Sequence, residues 1–113
     1  VFTILEAYAD FVDYAVFQGK LYDLRYYPGV VESDNYEDKV QGELYRLKNH
    51  EILLNILDKY EGCSKDDPLP AEFLRKKLTV TLTNNKKVRA WIYLYNLPSH
   101  GLSIIPSGDY LNP

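Results

Sequence analysis

The stretch from Leu78 to Tyr95 constrains the fold more than any other part of the chain. Leu78, Val80 and Leu82 alternate with Thr79, Thr81 and Thr83, Asn84-Asn85 follows, and Val88 to Tyr95 (VRAWIYLY) alternates again. Period-two alternation on both sides of a short polar turn predicts a β-hairpin. Its second arm has two distinct faces, Val88, Ala90, Ile92 and Leu94 on one, Arg89, Trp91, Tyr93 and Tyr95 on the other. An isolated hairpin is marginal in water, so the rest of the chain must cover one of these faces. The aromatic face suits either plain core or the wall of a partly wet cavity.

The remaining segments supply that cover. Ile4, Leu5, Tyr8, Phe11, Val12 and Ala15 recur at helical spacing and predict a short amphipathic helix. Val16 to Leu24 reads as a strand, Arg25 to Gly29 as a turn around Pro28, and Val30-Val31 as the start of another strand. Glu32 to Lys39 is a polar loop without the glycine and terminal glutamate of a calcium-binding EF-hand. Val40 to Leu47 is a strand. Asn49 is placed to cap a following helix, with an apolar stripe of Ile52, Leu53, Ile56, Leu57 and Tyr60 and a stop at Gly62. Cys63 to Ala71 is a loop, a lid or a mere connection, and the proline-containing tail is irregular. About five strands and two helices predict an α+β domain over residues 1–113, a small, mostly antiparallel β-barrel with flanking helices. Gly29 and Gly42 read as backbone requirements, for a turn and for close packing.

Composition narrows the function classes. A chain of 113 residues has room for one core, and no apolar run approaches the ~20 residues that span a bilayer. No membrane partner is expected. A net charge of −3 argues against a nucleic-acid partner, and the doublets Lys76-Lys77 and Lys86-Lys87 read as solvated surface. The single cysteine, Cys63, cannot form an internal disulfide and fits a reducing, cytoplasmic setting. It follows a helix C-terminus, where the macrodipole disfavours a thiolate. His50 and His100 form no ligand-spaced cluster with it, and no Gly-rich phosphate loop exists, so neither metal nor cofactor is expected.

Glu61 stands out on the helical wheel. It falls between Leu54 and Leu57 at the border of the apolar stripe, with Asn55 and Asp58 facing outward. Partial burial at the negative end of a helix dipole raises a carboxylate's pKa toward the range useful for proton transfer. A glutamate at such a border can equally reach out to solvent, and the wheel alone leaves both readings open.

Several segments, taken in order, resemble the gamma-glutamyl cyclotransferase-like superfamily. They are Gly19-Lys20-Leu21-Tyr22-Asp23-Leu24 with Tyr27-Pro28-Gly29, then Val40-Gln41-Gly42-Glu43-Leu44-Tyr45, and Leu57-Asp58-Lys59-Tyr60-Glu61-Gly62. Phe73-Leu74-Arg75, Ala90-Trp91-Ile92-Tyr93 and Ser107-Gly108-Asp109-Tyr110 complete the series, which runs from about Leu5 to Tyr110. The resemblance implies a small barrel and a cofactor-free cleavage of a small-molecule gamma-glutamyl amide into 5-oxoproline and a free amine. It implies Glu61 as the general acid/base. Tyr60, Arg75 and Tyr93 are candidate substrate contacts; Arg75 could instead pair with Glu72 or a loop carboxylate, and Glu43 reads as a solvated or hydrogen-bonded strand residue. The family's opening strand runs into Tyr-Gly-Ser/Thr-Leu, and the sequence has no such tetrapeptide; Val1-Phe2-Thr3 could be the front of that strand, or the chain could begin after it, so a further segment carrying the motif is expected either before Val1 or after Thr3. A non-catalytic binding or structural barrel of the same fold is the alternative, and oligomeric state is left open.

Overall fold

The structure is a computed structural model, which describes residues 9–62 and 69–111. Its spine is one long strand, β1 (Ala9–Asp23). Strands β2 (Pro28–Glu32) and β3 (Lys39–Leu47) follow, then helix α1 (His50–Tyr60), the hairpin β4 (Phe73–Leu82) and β5 (Lys87–Tyr95), and a two-residue β6 (Ser103–Ile104). Every pairing is antiparallel. The first two-thirds of β1 pairs with β3, from Ala9–Leu47 to Gln18–Lys39, and its last third pairs with β2. Ala15 and Val16 also bond to Leu82 and Thr81 of β4, so β1 joins the hairpin to the rest in the order β2-β1-β4-β5. Among the described residues no pairing between β3 and β5 closes this sheet into a barrel.

The hairpin forms as its alternation predicts, with β4 reaching back to Phe73. Asn85 takes the left-handed conformation at the turn, φ 66°. Val88, Ala90 and Ile92 turn inward with Leu94 against a buried cluster of Ala15, Phe17, Leu21, Val40, Val80 and Ile105. Burying such aliphatic side chains stabilises the fold by roughly 1.5–3 kcal/mol each.

Three expectations need correction. The helix over Ile4–Ala15 is a strand wherever the structure describes it, from Ala9 on; Ile4 to Tyr8 lie outside the described residues. A β-bulge between Phe11 and Asp13 slips the register there. One extra residue breaks strict alternation, so the apolar spacing imitates a helix while Tyr, Phe and Val favour the extended chain. Thus one described helix is present where two were expected. The tail is not wholly irregular: β6 pairs with Tyr22 and Asp23, and Ile105 is buried and donates its N–H to the Leu21 carbonyl at 2.7 Å. Gly42, expected to allow close packing, meets nothing, and Gly29, expected in a turn, lies in β2 opposite Tyr22, where it is the close packing that needs it: a Cβ there would stand 2.8 Å from Leu24 Cδ1.

Cys63 and most of its loop lie outside the described residues. Among those described, no helix is long and apolar enough to cross a membrane.

Candidate active site

Helix α1 delivers Glu61. Leu53 is its most deeply buried residue, 2% exposed, with Leu54 and Leu57 also inside. Ile52, Ile56 and Tyr60 are exposed, so the buried stripe is rotated from the predicted one. Asn49 begins the helix with a left-handed backbone and makes no side-chain capping bond, unlike the cap expected of it. Its carbonyl still accepts the first helical bond, from Leu53 N–H at 3.1 Å. At the other end Glu61 is the C-cap, its N–H donating to Leu57 at 2.9 Å, and Gly62 turns away with φ 73°. Leu54, Leu57 and Glu61, spaced three and four apart, share one face.

That face forms part of the wall of a cavity of about 620 Å³. β1 supplies Ala15 and Phe17, β3 the run from Val40 to Tyr45, and β5 the run from Arg89 to Tyr93. The lining is mostly apolar. The Glu61 carboxyl is half-buried in it and is held above the usual carboxylate range, first by burial and then by the negative charge of Glu72. Its place at the C-terminus of the helix dipole acts in the same direction.

Glu72 and Tyr27 are site neighbours; the sequence offers Glu72 only as an alternative partner of Arg75, which pairs with Asp58 instead, and Tyr27 only as part of a Tyr-Pro-Gly segment. The Tyr27 hydroxyl donates to the Glu72 carboxylate. That bond, burial, and the charges of Glu72 and, to a smaller degree, Tyr95 and Glu61 push the phenol up to about 12. Phe73 packs between the Tyr27 and Tyr95 rings, at 6.0 and 5.8 Å between centroids. The available signals were faint: Tyr27 stands directly before Pro28-Gly29, the start of β2, and Glu72 stands between two apolar residues, Ala71 and Phe73, both buried.

The other candidates divide. Tyr93 lines the cavity beside Glu61's helix face, and Tyr60, 65% exposed, is not part of that wall. Arg75 is engaged with Asp58, Nε to Oδ1 at 2.7 Å and Nη2 to Oδ2 at 3.1 Å, and lies 4.4 Å above the Trp91 ring. The Tyr93 hydroxyl donates to the same Asp58 Oδ1 at 2.6 Å. Asp58 therefore does not face outward. The guanidinium fork and the phenol of the hairpin draw it inward and tie the helix to β4 and β5. With Arg75 and Asp58 only 22% and 15% exposed, a double-mutant cycle of Asp58→Ala and Arg75→Ala in urea unfolding is expected to return a coupling of about 1–2 kcal/mol. A coupling near zero would mean that this tie contributes nothing to the helix's position.

The arrangement matches known proteins over nearly its whole length. The sequence profile described as gamma-glutamyl cyclotransferase, AIG2-like, matches residues 2–112. The gamma-glutamylcyclotransferase family protein YtfP of Escherichia coli is 31% identical over 101 residues, covering 88% of this chain and 74% of that protein. The solution structure of ytfP from Escherichia coli superposes with a TM-score of 0.67 at 28% identity, covering 97% of this chain and 84% of that one. A crystal structure of an uncharacterized protein from Pyrococcus horikoshii shares the fold, with a TM-score of 0.62 at 17% identity, over 97% of this chain and 77% of that one.

Proposed function

The chain belongs to the gamma-glutamyl cyclotransferase, AIG2-like family, and we propose from that membership that it cleaves a gamma-glutamyl amide to 5-oxoproline and a free amine, with Glu61 as general base and then general acid. The observation that carries this reading is the half-buried Glu61 carboxyl on the wall of the cavity, its proton affinity raised by burial and by Glu72.

The chemistry asks little more of the protein. The substrate's own α-amino nitrogen attacks the γ-carbonyl carbon, and the Glu61 carboxylate takes a proton from that nitrogen. The tetrahedral intermediate then collapses. The γ-carbon to leaving-nitrogen bond breaks, and the same carboxyl returns its proton to the departing amine. Atoms and charge balance with no water consumed and no change of oxidation state, so the step calls for no redox cofactor. What remains is to fold the substrate so that its two ends meet, and to shuttle one proton. A raised pKa suits both halves of that shuttle.

The direct test is release of 5-oxoproline from gamma-glutamyl-alanine by the purified full-length protein. Absence of turnover on any gamma-glutamyl amide would leave a binding domain of the same fold.

The raised pKa also makes a stability prediction. On raising pH the unfolded chain loses the Glu61 proton first, near the usual ~4.3, and the folded protein loses it later. The native state then binds more protons than the unfolded one, so this group's contribution to stability falls as pH rises through that window. Wild-type stability minus that of Glu61→Gln, from urea unfolding, is expected to decrease from about pH 4 upward and level off above the native pKa. A flat difference would show an ordinary, solvated carboxylate.

A further inference from the structure

The proposed shuttle leaves over a strained turn and an uncompensated carboxylate, and one hydrogen bond joins the two. β1 passes to β2 through Leu24 to Tyr27, where Arg25 has φ 88°. A residue with a Cβ takes that conformation only where its surroundings impose it, and such strain gathers at functional sites. Two bonds impose it here. Asp23 Oδ1 accepts the Arg25 N–H at 2.8 Å, and the Leu24 N–H donates to the Tyr27 carbonyl at 3.0 Å. Tyr26 is left exposed beneath the Arg25 guanidinium, while Tyr27 lays its ring against Phe73, which packs in turn on Tyr95. Gly29 lets β2 come this close, since a Cβ there would stand 3.1 Å from Tyr95 Cβ.

So placed, the Tyr27 hydroxyl donates to the Glu72 carboxylate. Glu72 is pinned through its main chain as well. Its carbonyl accepts the Asn96 N–H at 2.7 Å, and the Asn96 side-chain amide donates to the Ala71 carbonyl at 3.0 Å. Among the described residues no lysine or arginine pairs with Glu72. Its charge therefore acts on what stands near it, the Tyr27 phenol and the Glu61 carboxyl, and Tyr27 senses Glu61 too. The other charged groups around Glu61 are matched or stand apart. Asp58, on the same helix, is bound by Arg75 and Tyr93, and Glu43 of β3 by Tyr45. Lys59 is exposed on the helix, and Lys77 and Arg89 stand farther along the hairpin, opposite Trp91 and Thr79.

We infer that Glu72 is a positioning residue of the reaction: aimed by Tyr27 and Asn96, its fixed negative charge keeps the transferred proton on Glu61 until the departing amine takes it. Two neighbouring carboxylates do not ionise independently, so one becomes the proton carrier and the other its electrostatic partner. Tyr27 sets the direction in which that charge points, and the turn at Arg25 sets Tyr27. The use of the pair in turnover rests on the cyclotransferase reading of Glu61, but the pairing itself can be measured without turnover.

The test follows the Glu61 carboxyl resonance by NMR through a pH titration of the full-length protein, with Glu61→Gln fixing its assignment. In Glu72→Gln the midpoint is expected to shift to lower pH, since the amide can still accept the Tyr27 bond and only the charge is gone. Tyr27→Phe keeps the ring against Phe73 and frees the carboxylate to turn away, so a smaller shift in the same direction is expected. The acid limb of kcat/KM for gamma-glutamyl-alanine should move down in pH with the midpoint, whereas a merely structural role would lower stability and leave that limb in place. An unmoved Glu61 midpoint in Glu72→Gln, checked for folding by circular dichroism, overturns the inference whether or not the protein turns over. If that variant fails to fold, an unmoved midpoint in Tyr27→Phe overturns it. A shifted midpoint without any release of 5-oxoproline supports the pairing while the cyclotransferase reading fails.

Discussion

Replacing Glu61 by glutamine is expected to lower 5-oxoproline release from gamma-glutamyl-alanine by ~100- to 10,000-fold, the usual worth of a positioned acid/base group. The amide keeps the size and hydrogen-bonding capacity of the carboxyl and removes only its ability to exchange a proton. Leu54 and Leu57 would still anchor the helix face, so the cavity wall should stand unchanged. Substrate affinity, measured by calorimetry, should consequently survive while kcat falls. Glu43→Gln is the control, because Glu43 lies on the wall of the same cavity but on β3, with its carboxylate bonded to Tyr45. Its loss should stay below about tenfold, the size of one altered polar contact. Similar, mild losses for both variants would assign Glu61 a structural role, and a collapse of binding in Glu61→Gln would show that it holds the substrate instead of moving its proton.

How far the sequence foretold this site depends on whether a residue's partners are local. Glu61 was legible because a helical wheel is a local calculation: Leu54, Leu57 and Glu61 fall on one face whatever else the chain does. The hairpin was legible for the same reason, each arm carrying its own alternation and the turn its own chemistry. Asp58 was misread as outward because its partners, Arg75 and Tyr93, arrive from strands that begin more than a dozen residues later. The wheel contains no information about a guanidinium that is not on the helix. The pairing of Glu72 with Tyr27 was missed likewise, its two residues being separated by 45 positions and joined only by the fold. The first strand failed differently. Its bulge after Phe11 makes a local pattern point to the wrong local structure, and only pairing with β3 overrides it.

Lys77 shows the same limit from the other side. A doublet of lysines reads as a solvated patch when charge is summed along the chain. On a strand, neighbours point to opposite faces, so Lys76 and Lys77 have different surroundings from the moment β4 forms. The alternation that identified the hairpin already contained this division: Lys76 stands opposite Ile92 and reaches Glu32, whereas Lys77 stands opposite Trp91 with its ammonium 5.7 Å from that ring's centre.

The second large effect is expected at Gly108. Gly108→Ala should destabilise the protein by at least ~3 kcal/mol, since a Cβ in a left-handed conformation costs about 1–2 kcal/mol by itself and a backbone clash adds to it. Gly108 has φ 67°, and an added Cβ would overlap the Lys39 carbonyl oxygen and stand 2.9 Å from its carbon. That oxygen is main chain, so no side-chain rotation relieves the contact. The two segments must part, and with them goes the bond from Gln41 N–H to the Gly108 carbonyl at 2.7 Å. The displacement would reach the site, because Lys39 opens β3 and the next residues, Val40 to Tyr45, form one wall of the cavity. It would also loosen Ile105, which is buried in the core and accepts the Gly108 N–H at 3.0 Å. Gly42→Ala is the contrast: a Cβ there meets nothing within 4 Å, and reducing the freedom of the unfolded chain should leave stability unchanged or raise it by about 0.4–1 kcal/mol. Urea unfolding of the two variants separates the alternatives. A loss under ~1 kcal/mol for Gly108→Ala would mean that the tail yields without cost, and that the register holding β3 against the core comes from the β1 pairing alone.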